Sequence, residues 1–143
     1  VVILNRKTLK FEIDLDFVLI AITTSLKDYR ICHHINKHLN FNFLKMADLE
    51  VDILQGSGSP VFFSLYEYHW EASETDFYFI ANKGSEGYLV PEMRKADYFI
   101  MIRNYIADDE LDKIITGLNR IQEIVAAVKI DPKKIKSREN LLF

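Results

Sequence analysis

The amino-acid sequence predicts an α+β fold, in which two or three helices pack on one face of a largely antiparallel sheet of about five strands. Two observations support this prediction. Stretches that alternate apolar and polar residues, as half-buried strands do, occur beside stretches whose apolar residues recur every three or four positions, as in helices. Their order along the chain is strand, helices, strand, aromatic hairpin, strand and long helix. The length of 143 residues predicts a single domain, residues 1–143.

The first predicted element is a strand at residues 9–15, where Leu, Phe and Ile alternate with charged residues. The next segment, residues 17–22, is apolar throughout. Because only Asp16 separates the two segments, a tight hairpin between them does not fit. We therefore favour a short helix capped by Asp14 or Asp16, with a strand placed elsewhere in the sheet as the alternative.

A second helix is predicted from Ser25 to about Asn40. Ser25 and Asp28 resemble a capping box, with Asp in place of the usual Glu. The predicted buried stripe of this helix consists of apolar residues at three- and four-residue spacing: Tyr29, Ile31, Cys32, Ile35 and Leu39.

The middle of the chain is predicted to form strands. Residues 49–53 alternate apolar and acidic residues, which indicates a second half-buried strand. Residues 55–60 form a flexible linker of Gly, Ser and Pro. Two aromatic strands follow at 61–70 and 76–82, and the short polar segment 71–75 between them suits a hairpin.

The last third of the chain contains a turn, a strand, a long helix and a tail. Pro91 suits the first position of a helical turn. Residues 97–103 are apolar on both faces, which predicts a strand that is central or covered on both sides. Acidic residues 108–110 begin the long helix, and its predicted buried stripe continues to the end of the element: Leu111, Ile114, Ile115, Leu118, Ile121, Val125 and Val128.

The C-terminal tail, residues 131–143, is basic and then apolar. Its charged part, Lys133, Lys134, Lys136 and Arg138, is typical of a solvated segment. Residues 141–143 are Leu, Leu and Phe, and they would gain by docking on the body of the protein or on a neighbouring subunit.

Composition excludes several classes of function. The formal net charge of −3 provides no broad basic field, which argues against nucleic acid or an anionic membrane as partner. The longest apolar run, residues 17–22, is too short to span a bilayer. Cys32 is the only cysteine, so a disulfide within the chain is impossible and a reducing cytoplasm is the expected location.

Residues 90–98, Val-Pro-Glu-Met-Arg-Lys-Ala-Asp-Tyr, carry the most specific motif. They resemble the signature of the IPExxxVDY family of small bacterial proteins. Four positions match and two carry other small apolar residues: Pro91, Glu92, Asp97 and Tyr98 match, Val90 replaces Ile and Ala96 replaces Val. The motif lies two-thirds along a chain of suitable size, and residues 27–30 also fit the family. The resemblance implies a single-domain protein and implies no activity, substrate or partner.

The motif carboxylates have two interpretations. Glu92 and Asp97 could form a metal-binding or acid/base pair. Carboxylates near turns more often have local structural roles. We therefore favour an interpretation in which Glu92 stabilises the turn after Pro91 and Asp97 accepts a hydrogen bond from a loop amide. Tyr98 is predicted to be a core ring with a hydrogen-bonded hydroxyl.

Other candidate residues give weaker signals. His34 and His38 are four positions apart and could reach one cation, but zinc needs three or four ligands. Cys32 falls in the buried stripe of the helix, and a pair with His33 is disfavoured because adjacent helical residues diverge. The sequence contains no Gly-rich phosphate loop, CxxC pair, GxSxG elbow or convincing triad. We therefore predict no catalytic residue, metal or cofactor.

The sequence favours a non-catalytic protein-interaction or regulatory module that self-associates or binds another protein. Its expected surface lies on the aromatic hairpin: Tyr66, Tyr68, Trp70 and Tyr78. The first alternative is a small-molecule-binding protein or enzyme with a polar pocket between the helix at Ser25 and the strand at Asp97. That pocket would be lined by five polar residues: Lys27, Arg30, Glu92, Asp97 and Tyr98. A weaker alternative is single-stranded RNA stacked on the aromatic strands, where Glu67, Glu71 and Glu74 would repel phosphate.

Overall fold

The computed structural model describes residues 17–52 and 59–143. The strand predicted at 9–15 and most of the linker predicted at 55–60 lie outside the described residues. The helices and strands are, in chain order, β1 (Val18–Thr24), α1 (Asp28–Leu39), β2 (Leu44–Lys45), β3 (Leu49–Val51), β4 (Val61–Phe63), β5 (Leu65–Trp70), β6 (Thr75–Ala81), β7 (Tyr98–Arg103), α2 (Asp108–Arg120) and β8 (Ile124–Ile130).

A six-stranded sheet in the order β2–β5–β6–β7–β1–β8 forms the centre of the described structure. All its neighbouring strands run antiparallel. β3 and β4 pair in a separate two-stranded antiparallel sheet. The predicted α+β class and antiparallel sheet are therefore confirmed, with two helices in the described residues. β7 lies inside the sheet, as its two apolar faces predicted.

Both faces of the large sheet are covered. Helices α1 and α2 pack on one face, where Ile35 and Leu118 join a buried cluster with Phe79. The opposite face includes Phe99 and Met101, and it is covered by β4, by the loop before β7 and by the C-terminal segment. The two helices share one face, as predicted, and the small two-stranded sheet together with irregular segments covers the other.

Residues 17–22 do not form the helix that we favoured, because β1 begins at Val18 and runs to Thr24. β1 pairs with β7 on one side and with β8 on the other. A strand buried on both faces is apolar at every position, so it lacks the alternation that identifies a half-buried strand. The alternative of a strand elsewhere in the sheet is correct.

The long C-terminal helix also differs from its prediction. It ends at Arg120 rather than near Val128, and the chain turns directly into β8. Val125 is 79% exposed and so is not part of a buried stripe. The β-branched residues of this segment pair with β1 instead, and the side chain of Asn119 exchanges two hydrogen bonds with the backbone of Ala127.

Helix α1 begins later than predicted, at Asp28. The capping box predicted at Ser25 is wrong, because Lys27 occupies the N-cap position and no side chain bonds there. The predicted end is confirmed, since Asn40 follows the helix with a left-handed φ of 56°. Tyr29 is 61% exposed, so the fully buried part of the stripe is shorter than predicted: Ile31, Cys32 and Ile35.

The aromatic hairpin forms as predicted, from β5 and β6 joined by a 3-10 turn at Glu71–Ser73. Its first strand is interrupted at Ser64, because β4 leaves the large sheet to pair with β3. The C-terminal tail is not solvated throughout. Ile135 and Leu141 are buried in the cluster on the face opposite the helices, so the predicted docking on the body occurs.

Candidate functional site

The Val-Pro-Glu segment of the motif forms a turn that a buried asparagine holds in place. Pro91 occupies the first position of a 3-10 turn, as predicted. The side chain of Asn82 is fully buried and donates to the carbonyls of Met93 and Ala96 at 2.9 and 2.8 Å. Its Oδ1 accepts from the amide of Val90 at 2.8 Å. Sequence reasoning missed Asn82, because nothing near it in sequence indicates these partners.

Asp97 joins the start of β7 to the end of β1. Its Oδ2 accepts from the backbone amide of Thr24 at 2.9 Å, and its own amide donates to the carbonyl of Ile22 at 2.8 Å. The next residue, Tyr98, is buried, and its hydroxyl donates to the carbonyl of Leu26 at 2.8 Å. The prediction of a core ring with a bonded hydroxyl is confirmed.

Glu92 binds a different part of the chain. Its Oε2 accepts from the amide of Ser137 at 2.9 Å, which attaches the C-terminal segment to the motif turn. Partial burial opposes ionisation of Glu92, but hydrogen bonds from its own amide and from Ser137 outweigh it and lower the pKa of the carboxyl. Glu92 and Asp97 thus accept from backbone amides of two different segments, at Ser137 and at Thr24.

A polar cleft of about 580 Å³ opens between the start of α1 and the start of β7. Three of the five residues predicted for a pocket here line it, namely Lys27, Asp97 and Tyr98. Arg30 and Glu92 are not part of its wall. The remaining lining comes from the neighbours of Lys27 and from two other segments: Thr24, Ser25, Leu26 and Asp28, then Ser64, and then Ala81, Lys83 and Gly84.

Most polar groups of this cleft are satisfied within the protein. Asp28 accepts from the hydroxyl of Tyr66 at 3.0 Å, and burial together with that hydrogen bond raises the pKa of Tyr66. Burial and neighbouring carboxylates raise the pKa of Tyr98 to about 12. Lys27 and Lys83 make no ion pair within the described part of the chain. The cleft therefore offers two cationic side chains to a ligand.

The four aromatic residues expected on an interaction surface do not form one exposed surface. Tyr66 is only 7% exposed. Tyr68 and Trp70 are half-buried beneath Phe41, whose ring centroid lies 5.0 Å from that of Tyr68 and 6.4 Å from that of Trp70. Tyr78 packs in the cluster on the opposite face of the sheet. Trp70 is the member of this set that reaches an open cleft.

A second cleft, of about 370 Å³, lies between the tip of the hairpin and the start of α2. We call it the hairpin-tip cleft. Its lining is mostly apolar and aromatic: Trp70, Ala72, Ser73, Thr75, Tyr105, Ile106, Ala107 and Glu110. Tyr105 is 59% exposed. Sequence reasoning named Trp70 but missed Tyr105, because the loop after β7 carries no motif.

Hydrogen bonds fix the two walls of the hairpin-tip cleft to each other. Thr75 is fully buried, and its hydroxyl donates to the carbonyl of Tyr105 at 2.5 Å. Asn104, with a left-handed φ of 71°, donates through Nδ2 to a carboxylate oxygen of Asp76 at 2.6 Å and to the carbonyl of Glu74 at 3.3 Å. The cleft is therefore held open by the fold itself.

The remaining candidate residues, Cys32, His34 and His38, make contacts within the protein. Cys32 is buried in the helix-side core, and burial raises the pKa of its thiol. The rings of His34 and His38 stack with centroids 6.1 Å apart, and His34 Nδ1 lies 3.7 Å from a carboxylate oxygen of Glu123. Residues 17–52 and 59–143 contain no group of three or more His, Cys, Asp or Glu placed to hold a metal ion. They also contain no helix with the length and apolarity needed to cross a membrane.

Comparison of the chain with models of known protein families, with curated proteins and with solved structures finds no match. The resemblance to the IPExxxVDY family stays a prediction that depends on residues 90–98. The geometry of the two clefts is therefore the feature of the molecule that bears on its function.

Proposed function

We propose that the protein is a non-catalytic interaction module, acting in the cytoplasm, that binds another protein at the hairpin-tip cleft. The observation that carries this proposal is the exposed ring of Tyr105 beside Trp70 in a mostly apolar cleft. Trp and Tyr are the residues that most often anchor protein interfaces, because they bury a large area with few rotatable bonds.

The rigidity of the cleft also supports binding. A surface that is already in its bound shape loses less conformational entropy when a partner docks. The contacts of Thr75 and Asn104 provide this preorganisation. The lining contains one carboxylate, Glu110, and two hydroxyls, Ser73 and Thr75. The two hydroxyls bond to each other and to the carbonyl of Tyr105 rather than to a side chain that could act as a base, so recognition suits the cleft better than acid–base chemistry.

The test is capture of native partners by the immobilised protein. We expect Tyr105→Ala to remove partners that the unchanged protein retains, because it deletes the exposed ring. Tyr29→Ala is the matched control, since Tyr29 is equally exposed but lies on α1 outside the cleft. Identical partner lists for all three proteins would refute the proposal. Size-exclusion chromatography with light scattering, on the same variants, shows whether the partner is a second copy.

The polar cleft favours a second candidate function, the binding of a small anionic compound. The specific observation is that Lys27 and Lys83, which make no ion pair within the described residues, line one cavity. The two carboxylates in its wall, Asp28 and Asp97, already accept from the hydroxyl of Tyr66 and the amide of Thr24. Inorganic phosphate and citrate are suitable probes. Each should raise the melting temperature of the unchanged protein and not that of Lys83→Ala, and the same shift in both proteins would exclude this site.

A further inference from the structure

We infer that the partner segment entering the hairpin-tip cleft is basic, with a Lys or Arg side chain lying against Trp70 and Tyr105. This inference rests on the proposed function and adds the chemistry of the partner. The apolar cleft would hold the aliphatic stem of such a side chain, and the aromatic rings and the rim would receive its cation.

The charge of the rim is the first argument. The two segments that form the cleft, residues 71–75 and 104–110, contain carboxylates and no Lys or Arg. Glu110 lines the cleft itself, and the other four acids neighbour lining residues in sequence: Glu71, Glu74, Asp108 and Asp109. None of them is in an ion pair within the described residues. A negative rim around an apolar cleft attracts a basic segment and repels nucleic acid and anionic lipid.

Local structure accounts for part of this charge. Asp108, Asp109 and Glu110 lie in the first turn of α2, where the helix dipole stabilises acids. Glu71 begins the single 3-10 turn of the hairpin, and Glu74 follows that turn outside any helix. Glu110 is half-buried and belongs to the cleft wall. An apolar occupant would remove water from this carboxylate without replacing its hydrogen bonds, whereas a guanidinium or ammonium group would supply them.

Trp70 is the only tryptophan of the chain, so its fluorescence reports on the cleft directly. The probes are three hexapeptides of the form Gly-Leu-X-Leu-X-Gly, blocked at both ends, in which X is Arg, Gln or Glu. We expect the Arg peptide to change the emission of Trp70 in a saturable way. It should bind at least about tenfold more tightly than the Gln peptide, and more weakly as salt is added.

Two variants test the rim against a matched control. Glu74→Asn removes a charge and also suits the left-handed backbone at this position, φ 53°, so it should fold at least as well as the unchanged protein. Glu110→Gln keeps the shape of the cleft wall. Each should weaken binding of the Arg peptide by about threefold, as expected for a partly exposed ion pair. Glu86→Gln, an exposed acid outside the cleft, should have no effect.

The outcomes separate this inference from the proposed function. If the Gln peptide binds as tightly as the Arg peptide, the cleft is an apolar docking site, so the proposed function stands and the inference fails. The inference also fails if no peptide alters the emission of Trp70, or if Glu86→Gln weakens binding as much as Glu110→Gln. Loss of native partners in Tyr105→Ala still decides the proposed function in each case.

Discussion

Asn82 shows how much of the motif depends on one residue outside it. Its side-chain amide satisfies three backbone groups of the turn, those of Val90, Met93 and Ala96. The turn places Glu92 against the C-terminal segment, where it accepts from Ser137, and Asp97 against the end of β1, where it accepts from Thr24. Pro91 could be placed from sequence, because its fixed φ is a local property. Asn82 could not, because its partners lie 8 to 14 residues away in a turn that only the tertiary fold brings close.

Replacing Asn82 should therefore be costly. We expect Asn82→Ala to lower the free energy of unfolding by about 2–4 kcal/mol, because buried backbone donors and acceptors lose their partners. Urea denaturation measures this change. Asn42→Ala is the control, since Asn42 is exposed, and it should stay within about 0.5 kcal/mol. Equal effects of the two substitutions would show that the turn is held by other contacts.

His69 provides a pH-dependent contact on the hairpin. Its Nδ1 lies 2.6 Å from a carboxylate oxygen of Asp76, and its Nε2 lies 3.6 Å from Glu67. The hydrogen bond to Asp76, opposed by a small desolvation, raises the pKa of His69. Because the pKa is raised in the folded state, the stabilisation is complete below the unfolded-state pKa of about 6.5 and is lost as pH rises through the folded-state pKa.

We expect His69→Gln to be less stable than the unchanged protein in mild acid and equally stable at high pH. The difference should remain below about 1 kcal/mol, because the ring is largely exposed. Denaturation curves at several pH values between 5 and 9 measure it. A difference that is constant across this range would mean that protonation of His69 does not contribute.

At the scale of elements, the boundary between α2 and β8 explains why sequence patterns failed there. Leu118, Ile121, Val125 and Val128 recur at helical spacing. The same segment is rich in β-branched residues, and pairing with β1 decides between the two structures. β8 has β1 as its single neighbour among the described strands. The side chain of Asn119 bonds to the amide and the carbonyl of Ala127, and so covers part of the other edge.

Asn119 should therefore limit edge-to-edge association. We expect Asn119→Ala to lower the free energy of unfolding by about 1 kcal/mol for the lost hydrogen bonds. It should also increase concentration-dependent association, because it frees an edge whose Val125 side chain is exposed. Light scattering across a concentration series measures this association. Thr116→Ala, an exposed position on the same helix, is the control, and equal scattering by both variants would contradict the role of Asn119.

At the scale of the whole molecule, the α+β class and the aromatic hairpin could be predicted because they follow from local periodicity. The strand order could not. β1 pairs Val18 with Ile102 and Leu19 with Ile130, and these partners are too far apart in sequence for any local pattern to reveal. The sequence predicted no cleft at the hairpin tip and indicated only Trp70 among its lining residues, since the second wall comes from the loop after β7. A site whose walls come from segments far apart in sequence can be located only from the assembled sheet, because local sequence patterns do not indicate which segments meet.

The C-terminal segment completes the face of the sheet that the helices leave uncovered. Leu141 is fully buried there. The side-chain Nδ2 of Asn140 donates to the carbonyl of Leu89 at 2.8 Å, and Glu92 accepts from the backbone amide of Ser137. We expect Leu141→Ala to lower the free energy of unfolding by about 2–5 kcal/mol, because it leaves a cavity in this second core. Leu142→Ala is the matched control, since Leu142 is half-buried and should cost about 1 kcal/mol or less. Urea denaturation of both variants measures the difference. Similar small losses in the two would show that the segment detaches in solution and that the sheet is protected in another way.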